Sequence, residues 1–334
     1  MIRVSGDTHY SIGIKIANIY NKEKRKKPTL KKITNGKAKK IYDEMFNLYT
    51  TYYPEYIEEL KGLADGLKIN RERLIYTYLT IGEGKHCCSI VGYNGMIGRN
   101  YDWYVNCAKF MRLYNVSITG YNKFICIDDG GFPDGKNETY IYKYSQPIIG
   151  VDFFNDKFLY IGLLWMYFSE KTEMNGIFAL DFMRKVAETC NNIDDVINLI
   201  KKIPIRNPKV FFIGDKTGRY IQIENYRIHE FKIFKPQNDL LIHTNNILNP
   251  KFRKYDDKWY SKESKRRYRA VVEGIYKIKP KTLMNMKTVM DDERIFSFYK
   301  GKPETIYQLF MNLKNREIFF MTKYRVSKIS DLLL

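Results

Sequence analysis

The chain has 334 residues, 44% of them hydrophobic and 28% charged, a balance that excludes a disordered chain and suffices for a full-sized core in one large domain or two medium ones. No run approaches the roughly 20 consecutive apolar residues of a membrane span, and residues 1–20 hold no apolar stretch of the signal-peptide kind, so the expected location is cytoplasmic. The formal charge of +20 raises nucleic acid as a partner, but the lysines are spread along the chain and dense only at residues 22–31 and 262–269. No helix-turn-helix, zinc-finger or RNA-recognition signature accompanies them, so nucleic acid is not the expected partner.

The five cysteines stand at 87, 88, 107, 126 and 190. An odd count with two adjacent members argues against a disulfide framework. There is no CxxC, and the four histidines are scattered, so no metal site is expected.

In chain order, residues 9–21 read as a helix after the small cluster Ser5-Gly6-Asp7-Thr8, and residues 39–52 and 54–67 carry apolar side chains at helical spacing. Asn70 is placed to cap a further helix over 72–81, making the first eighty residues mostly helical. The pattern changes at Cys87. Residues 88–92 and 96–104 read as strands joined through Asn94-Gly95, a strong hairpin signal. Strand-like runs follow at 111–119, 123–127, 148–154 and 157–164, then helices at 177–190 and 193–203, the second capped by Asn192 or Asp194. Strands return at 210–213, 219–224, 228–233 and 240–244. A basic helix is expected over 264–278, and a hairpin over 305–313 and 317–322 ends the chain. No internal repeat or low-complexity tract interrupts this order. Antiparallel strands around a helical middle suggest an α+β protein of two sheets with helices outside them.

The chemistry concentrates at Lys85-His86-Cys87-Cys88-Ser89-Ile90-Val91 and Gly98-Arg99-Asn100-Tyr101-Asp102. A cysteine opens the first strand, and the hairpin returns an Arg and an Asp beside it. A cation such as Arg99 favours the reactive thiolate, and Asp102 can hold an ammonium group. The motif has no histidine base, which argues against a papain-like triad. The set makes sense when the base is the cysteine's own α-amine, whose reference pKa is about 7.7–8.0. That requires cleavage of the peptide bond before the cysteine.

These segments resemble the N-terminal-nucleophile hydrolases of the acyl-CoA:6-aminopenicillanic acid acyltransferase type, related to acid ceramidase, N-acylethanolamine amidase and bile salt hydrolase. Members of that group show Cys-Thr-Ser-Ile-Val followed by Gly-Arg-Asn-x-Asp. Further similarities keep the family's order: Ser5 to Gly13, the Glu59-Leu60-Lys61-Gly62-Leu63-Ala64-Asp65-Gly66 helix, Thr244-Asn245-Asn246 after a strand, and Ser264-Lys265-Arg266-Arg267-Tyr268. The chain departs from the family at Cys88, where Thr or Ser is usual. Two registers follow, and placing Cys87 first keeps Ser89-Ile90-Val91 in phase. The hairpin is also shorter than in ceramidase-like relatives.

The resemblance implies a four-layer αββα sandwich whose helical segment 1–86 is a propeptide-derived chain and whose segment 87–334 is the catalytic chain. It implies self-cleavage between His86 and Cys87, with the two products staying associated. Cys87 would be the nucleophile, Arg99 and Asp102 its neighbours, and Asn245 the oxyanion donor. Arg267 would be a structural or substrate-side anchor, or else an ordinary solvated helix cation. The implied activity is hydrolysis or transfer of an acyl group on a linear amide, from a small-molecule or peptide-like substrate such as an N-acyl amino acid. No cofactor is implied, although acyl-CoA is a candidate acyl donor. The competing readings are a peptide-directed deacylase, a basic nucleic-acid-binding protein, and a folded but unprocessed binding module.

Overall fold

The computed structural model describes residues 1–25, 27–80, 87–103, 108, 111–128, 147–169, 175–206, 208–296, 304–323 and 325–333, with the side chains of 87, 259 and 260 outside that description. Two sheets face each other. The larger has eight strands in the order β1-β4-β5-β6-β7-β8-β9-β10. These are β1 (Ile2–Gly6), β4 (Arg112–Ile118), β5 (Phe124–Asp128), β6 (Asp152–Asn155), β7 (Tyr160–Trp165), β8 (Lys209–Gly214), β9 (Tyr220–Arg227) and β10 (Glu230–Phe234). The smaller has six, in the order β11-β2-β3-β12-β13-β14: β11 (Leu240–His243), β2 (Cys87–Tyr93), β3 (Met96–Trp103), β12 (Glu304–Asn312), β13 (Glu317–Thr322) and β14 (Arg325–Lys328). Every pairing is antiparallel except β1 with β4.

Helices cover both outer faces. On the side of the larger sheet lie α1 (His9–Lys22), α2 (Gly36–Tyr52), α3 (Pro54–Leu67), α4 (Arg71–Leu79), α5 (Ala179–Thr189) and α6 (Ile193–Lys202). Against the smaller sheet lie α7 (Lys258–Ile278) and α8 (Leu283–Met290). The result is the expected four-layer αββα sandwich. Strand alternation divides the core accordingly. Cys88, Ile90 and Tyr101 point into the large core shared with the eight-stranded sheet, whereas Val91 and Met96 pack on Val271, Met286 and Met290 of α7 and α8.

Most elements stand where their patterns place them. Asn70 accepts the Arg73 N–H at 2.8 Å, and Asn192, not Asp194, caps α6 by accepting from the Asp194 and Asp195 N–H groups. The hairpin turn has Asn94 at φ 51° and Gly95 at φ 73°. Two left-handed residues make the turn type whose twist suits a two-residue hairpin, and this tight link accommodates the short spacing from Cys87 to Arg99.

Four features differ from the sequence expectation. The N-terminal segment is not purely helical, because β1 precedes α1 and pairs with β4, more than a hundred residues away. Residues 148–151 are buried but precede β6 rather than forming it. Helix α7 begins at Lys258 instead of 264. Helix α8 and edge strand β14 carry patterns too short to be read alone. Each outcome depends on a distant partner that local periodicity does not contain.

Candidate active site

The antiparallel register sets Cys87 directly opposite Asp102 and Ile90 opposite Arg99. Residues three apart on a strand point to opposite faces. Arg99 therefore shares the large core with Cys88, while Asp102 turns toward α7 and α8. The two charged residues of the motif are not an ion pair with each other.

Arg99 is fully buried. Its Nε lies 3.0 Å from Asp152 Oδ2, and one Nη donates to the Leu163 carbonyl at 2.7 Å and stands 4.0 Å from Cys88 Sγ. Burial opposes its charge, but Asp152 beside it keeps the guanidinium firmly protonated. Asp152 also accepts the hydroxyls of Tyr160, at 2.6 Å, and Tyr307.

Asp102 is 1% exposed. Burial pushes its carboxyl up to about 6, with Arg267, the Thr305 hydroxyl and Arg99 pulling the other way. Thr305 Oγ1 donates to Asp102 Oδ1 at 2.6 Å.

Asn245 follows β11 at φ 86°, a left-handed conformation that Asn tolerates better than most residues. Its Oδ1 accepts the Cys88 N–H at 3.0 Å and an Arg267 N–H at 2.9 Å, while its Nδ2 donates to the Trp165 carbonyl at 2.7 Å. The donors on one side and the carbonyl on the other fix which way the amide faces.

Arg267 bridges the same parts. One Nη donates to Cys88 O at 2.6 Å and Ser89 Oγ at 2.9 Å, the other to Thr244 O at 3.1 Å and to Asn245. It is a buried anchor and not a solvated cation. The spacing of the Ser-x-x-Arg segment has a physical reason. Ser264 Oγ accepts the Asn246 N–H at 2.8 Å, and Arg267, three residues on and on the same helix face, reaches Cys88. Helix α7 thus ties the Thr244–Asn246 loop to the first strand.

The structure therefore gathers Asp102, Asn245 and Arg267 around the start of β2 and sets Arg99 behind it. Cys88 is fully buried, as are Cys126 and, nearly so, Cys190. His86 and Cys107 lie outside the described residues, as does the Cys87 side chain. Sequence reasoning missed Asp152 and Thr305. Asp152 had a signal, a single acid inside the otherwise apolar run 148–154. Thr305 had none.

A cleft of about 750 Å³ opens at Thr305, the hydrogen-bond partner of Asp102, and is walled also by Met111, Phe296 and Met321 and flanked by Lys287 and Asp291. That volume is ordinary for a small-molecule site. Among the described residues, no three His, Cys, Asp or Glu side chains are placed to hold a metal ion, and no helix is long and apolar enough to cross a membrane.

The fold is that of known hydrolases. The chain is similar to a variant of the conjugated bile acid hydrolase from Clostridium perfringens, at 12% identity and TM-score 0.50, over 74% of this chain and 94% of the other. It also matches a penicillin V acylase from Agrobacterium tumefaciens (13% identity, TM-score 0.46, 72% and 84% covered) and the Caenorhabditis elegans ortholog of N-acylethanolamine-hydrolyzing acid amidase (12%, 0.46, 68% and 93%). No match was found among curated proteins. The family model for acyl-coenzyme A:6-aminopenicillanic acid acyl-transferase matches residues 91–323, which include Arg99, Asp102, Asn245 and Arg267 and begin just after the two cysteines. The chain belongs to this acyl-transferase family and is an enzyme of its amide-hydrolase and acyltransferase kind.

Proposed function

We propose that the protein is an autoproteolytically activated cysteine hydrolase or acyltransferase that works on a linear amide, with Cys87 as nucleophile. The observation that carries this reading is the backbone of β2. Cys87 stands across from Asp102, and the next residue is held at both its N–H and its C=O, by Asn245 and Arg267. Such fixation of the strand's first residues is what a catalytic strand terminus requires.

In the maturation step the Cys87 thiol adds to the His86 carbonyl. The peptide nitrogen departs as the α-amine of Cys87, and water hydrolyses the thioester to leave a carboxylate on His86. Residues 1–86 and 87–334 become separate, associated chains. In turnover the α-amine takes the thiol proton as sulfur attacks the substrate carbonyl. Asn245 supplies an amide N–H to the developing oxyanion. The proton passes to the leaving amine, and a thioester remains on Cys87. Water, activated by the same amine, releases the acid, or an acceptor amine takes the acyl group. Acyl-CoA suits the same thioester exchange as a donor. The cleft at Thr305, with Met111, Phe296 and Met321 on its wall, suits a substrate with an apolar acyl part, and N-acyl amino acids are the class to test first.

Intact-mass analysis of purified protein is expected to show two pieces, one beginning at Cys87. Cys87→Ala should stay in one piece and release no amine from a panel of N-acyl amino acids. Cleavage lost in Cys88→Ala but retained in Cys87→Ala would move the nucleophile by one residue.

A further inference from the structure

Three residues form one row across three neighbouring strands. Cys87 on β2 is the register partner of Asp102 on β3, and Asp102 is the register partner of Thr305 on β12. On the far side of Asp102 the register slips. Thr305 pairs with Asp102 and Tyr307 with Tyr101, so Ile306 is one residue too many. In an unbroken strand, residues 305 and 307 would share a face. The bulge sends them to opposite faces, as bulges beside active sites do. Thr305 reaches Asp102 and lines the cleft. Tyr307 stacks on Tyr101 at 4.7 Å and reaches Asp152, the partner of Arg99.

We propose that Thr305 is the positioning residue of Asp102, holding its carboxylate ionised and aimed along the row at the Cys87 amine. This rests on the reading of Cys87 as an N-terminal nucleophile. The hydroxyl is the feature that matters, because a donor to a carboxylate favours its charged form. The charges that bear on Asp102 are Arg267 from α7 and Arg99 on its own strand. Lys287 on α8 and Asp291 at its C-terminal cap also flank the cleft and pair with each other. Among the described residues, Glu304 and Lys323 are the other charged groups on the cleft wall. None of these replaces the donor from β12.

The test compares wild type, Thr305→Val and Thr305→Ser as full-length protein. First, self-cleavage is followed by intact mass. Then the rate at which iodoacetamide alkylates Cys87 in the cleaved protein is measured from pH 4 to 9 and located by peptide mass spectrometry. Loss of one hydrogen bond to a charged group corresponds to about one pH unit. The acid-side inflection should therefore move up by about one unit in Thr305→Val and stay in place in Thr305→Ser. If Thr305→Val does not cleave while Thr305→Ser cleaves normally, the hydroxyl is needed even earlier and the proposal holds. An unmoved inflection in Thr305→Val, or Thr305→Ser behaving like Thr305→Val, overturns it. Cys87→Ala separates this from the parent reading. Cleavage in that variant removes the nucleophile whatever the Thr305 variants do, whereas a wild type that cleaves with an unmoved Thr305→Val inflection removes only the positioning role.

Discussion

At the scale of single residues, the site depends on side chains that make several bonds at once. Asn245 presents its oxygen to Cys88 and Arg267 and its nitrogen to Trp165. Asn245→Asp keeps the acceptor but sets a carboxylate oxygen against the Trp165 carbonyl and removes the amide donor. Turnover should fall by roughly 100- to 1,000-fold while circular dichroism stays native, and unchanged turnover would take Asn245 out of the mechanism. Arg267 reaches four acceptors with a planar fork, which a single ammonium group cannot span. Arg267→Lys should lower kcat/KM by about 10- to 100-fold, from lost hydrogen bonds to a charge, and lower the thermal midpoint too. The identities of these residues were legible because each sits in a short ordered motif. Their partners were less so. Arg99 and Asp102 were both expected beside Cys87, yet Arg99 binds Asp152 on the opposite face of the sheet, because strand alternation separates positions 99 and 102 however close they are in sequence.

Elements bring their own constraints. Helices α1 and α3 cross with their backbones nearly touching: a Cβ on Gly62 would land on the Tyr10 carbonyl oxygen, and one on Gly13 on that of Glu59. Gly62→Ala must therefore push the helices apart rather than shift a flexible side chain. It should cost about 1–3 kcal/mol or more, read from the urea midpoint; a neutral result would mean that the crossing opens at little cost. The same elements show where sequence reading works. Helix α3 spans the bounds its periodicity predicts, and the Asn94-Gly95 turn names its own hairpin. The β12 bulge left no trace in the sequence, since one surplus residue is defined only against the strand it pairs with.

At the scale of the whole molecule, the N-terminal segment is bound to the rest by buried charge as well as by a shared apolar core. Arg184 donates to Glu59 at 2.6 Å and to Glu188 at 2.9 Å, and the Tyr53 hydroxyl donates to Glu188 at 2.6 Å. Glu59→Ala leaves half of this charge pairing unmet and should cost about 3–5 kcal/mol in chemical denaturation. Close by, burial pushes Asp181 up to about 7, against the pull of the Tyr49 hydroxyl and Arg206. In the unfolded chain this carboxyl titrates near 3.9. Between about pH 4 and 7 the folded protein thus holds a proton that the unfolded chain has lost, and the stability tied to it disappears as pH rises. Asp181→Asn lacks that loss. Its thermal midpoint relative to wild type should climb between pH 5 and 8, and a difference independent of pH would refute the assignment.

The sequence alone determined the layered α+β architecture, the hairpin of β2 and β3 and the family to which the chain belongs. All three rest on local signals: the period of apolar residues, a turn dipeptide, and motifs a few residues long. Only the tertiary structure decided that Arg99 answers to Asp152, that Thr305 completes a row with Asp102, and that α7 ties the Asn245 loop to the first strand. Those pairings join residues tens to hundreds of positions apart, and they exist only once the sheets have settled their register and the core has excluded water.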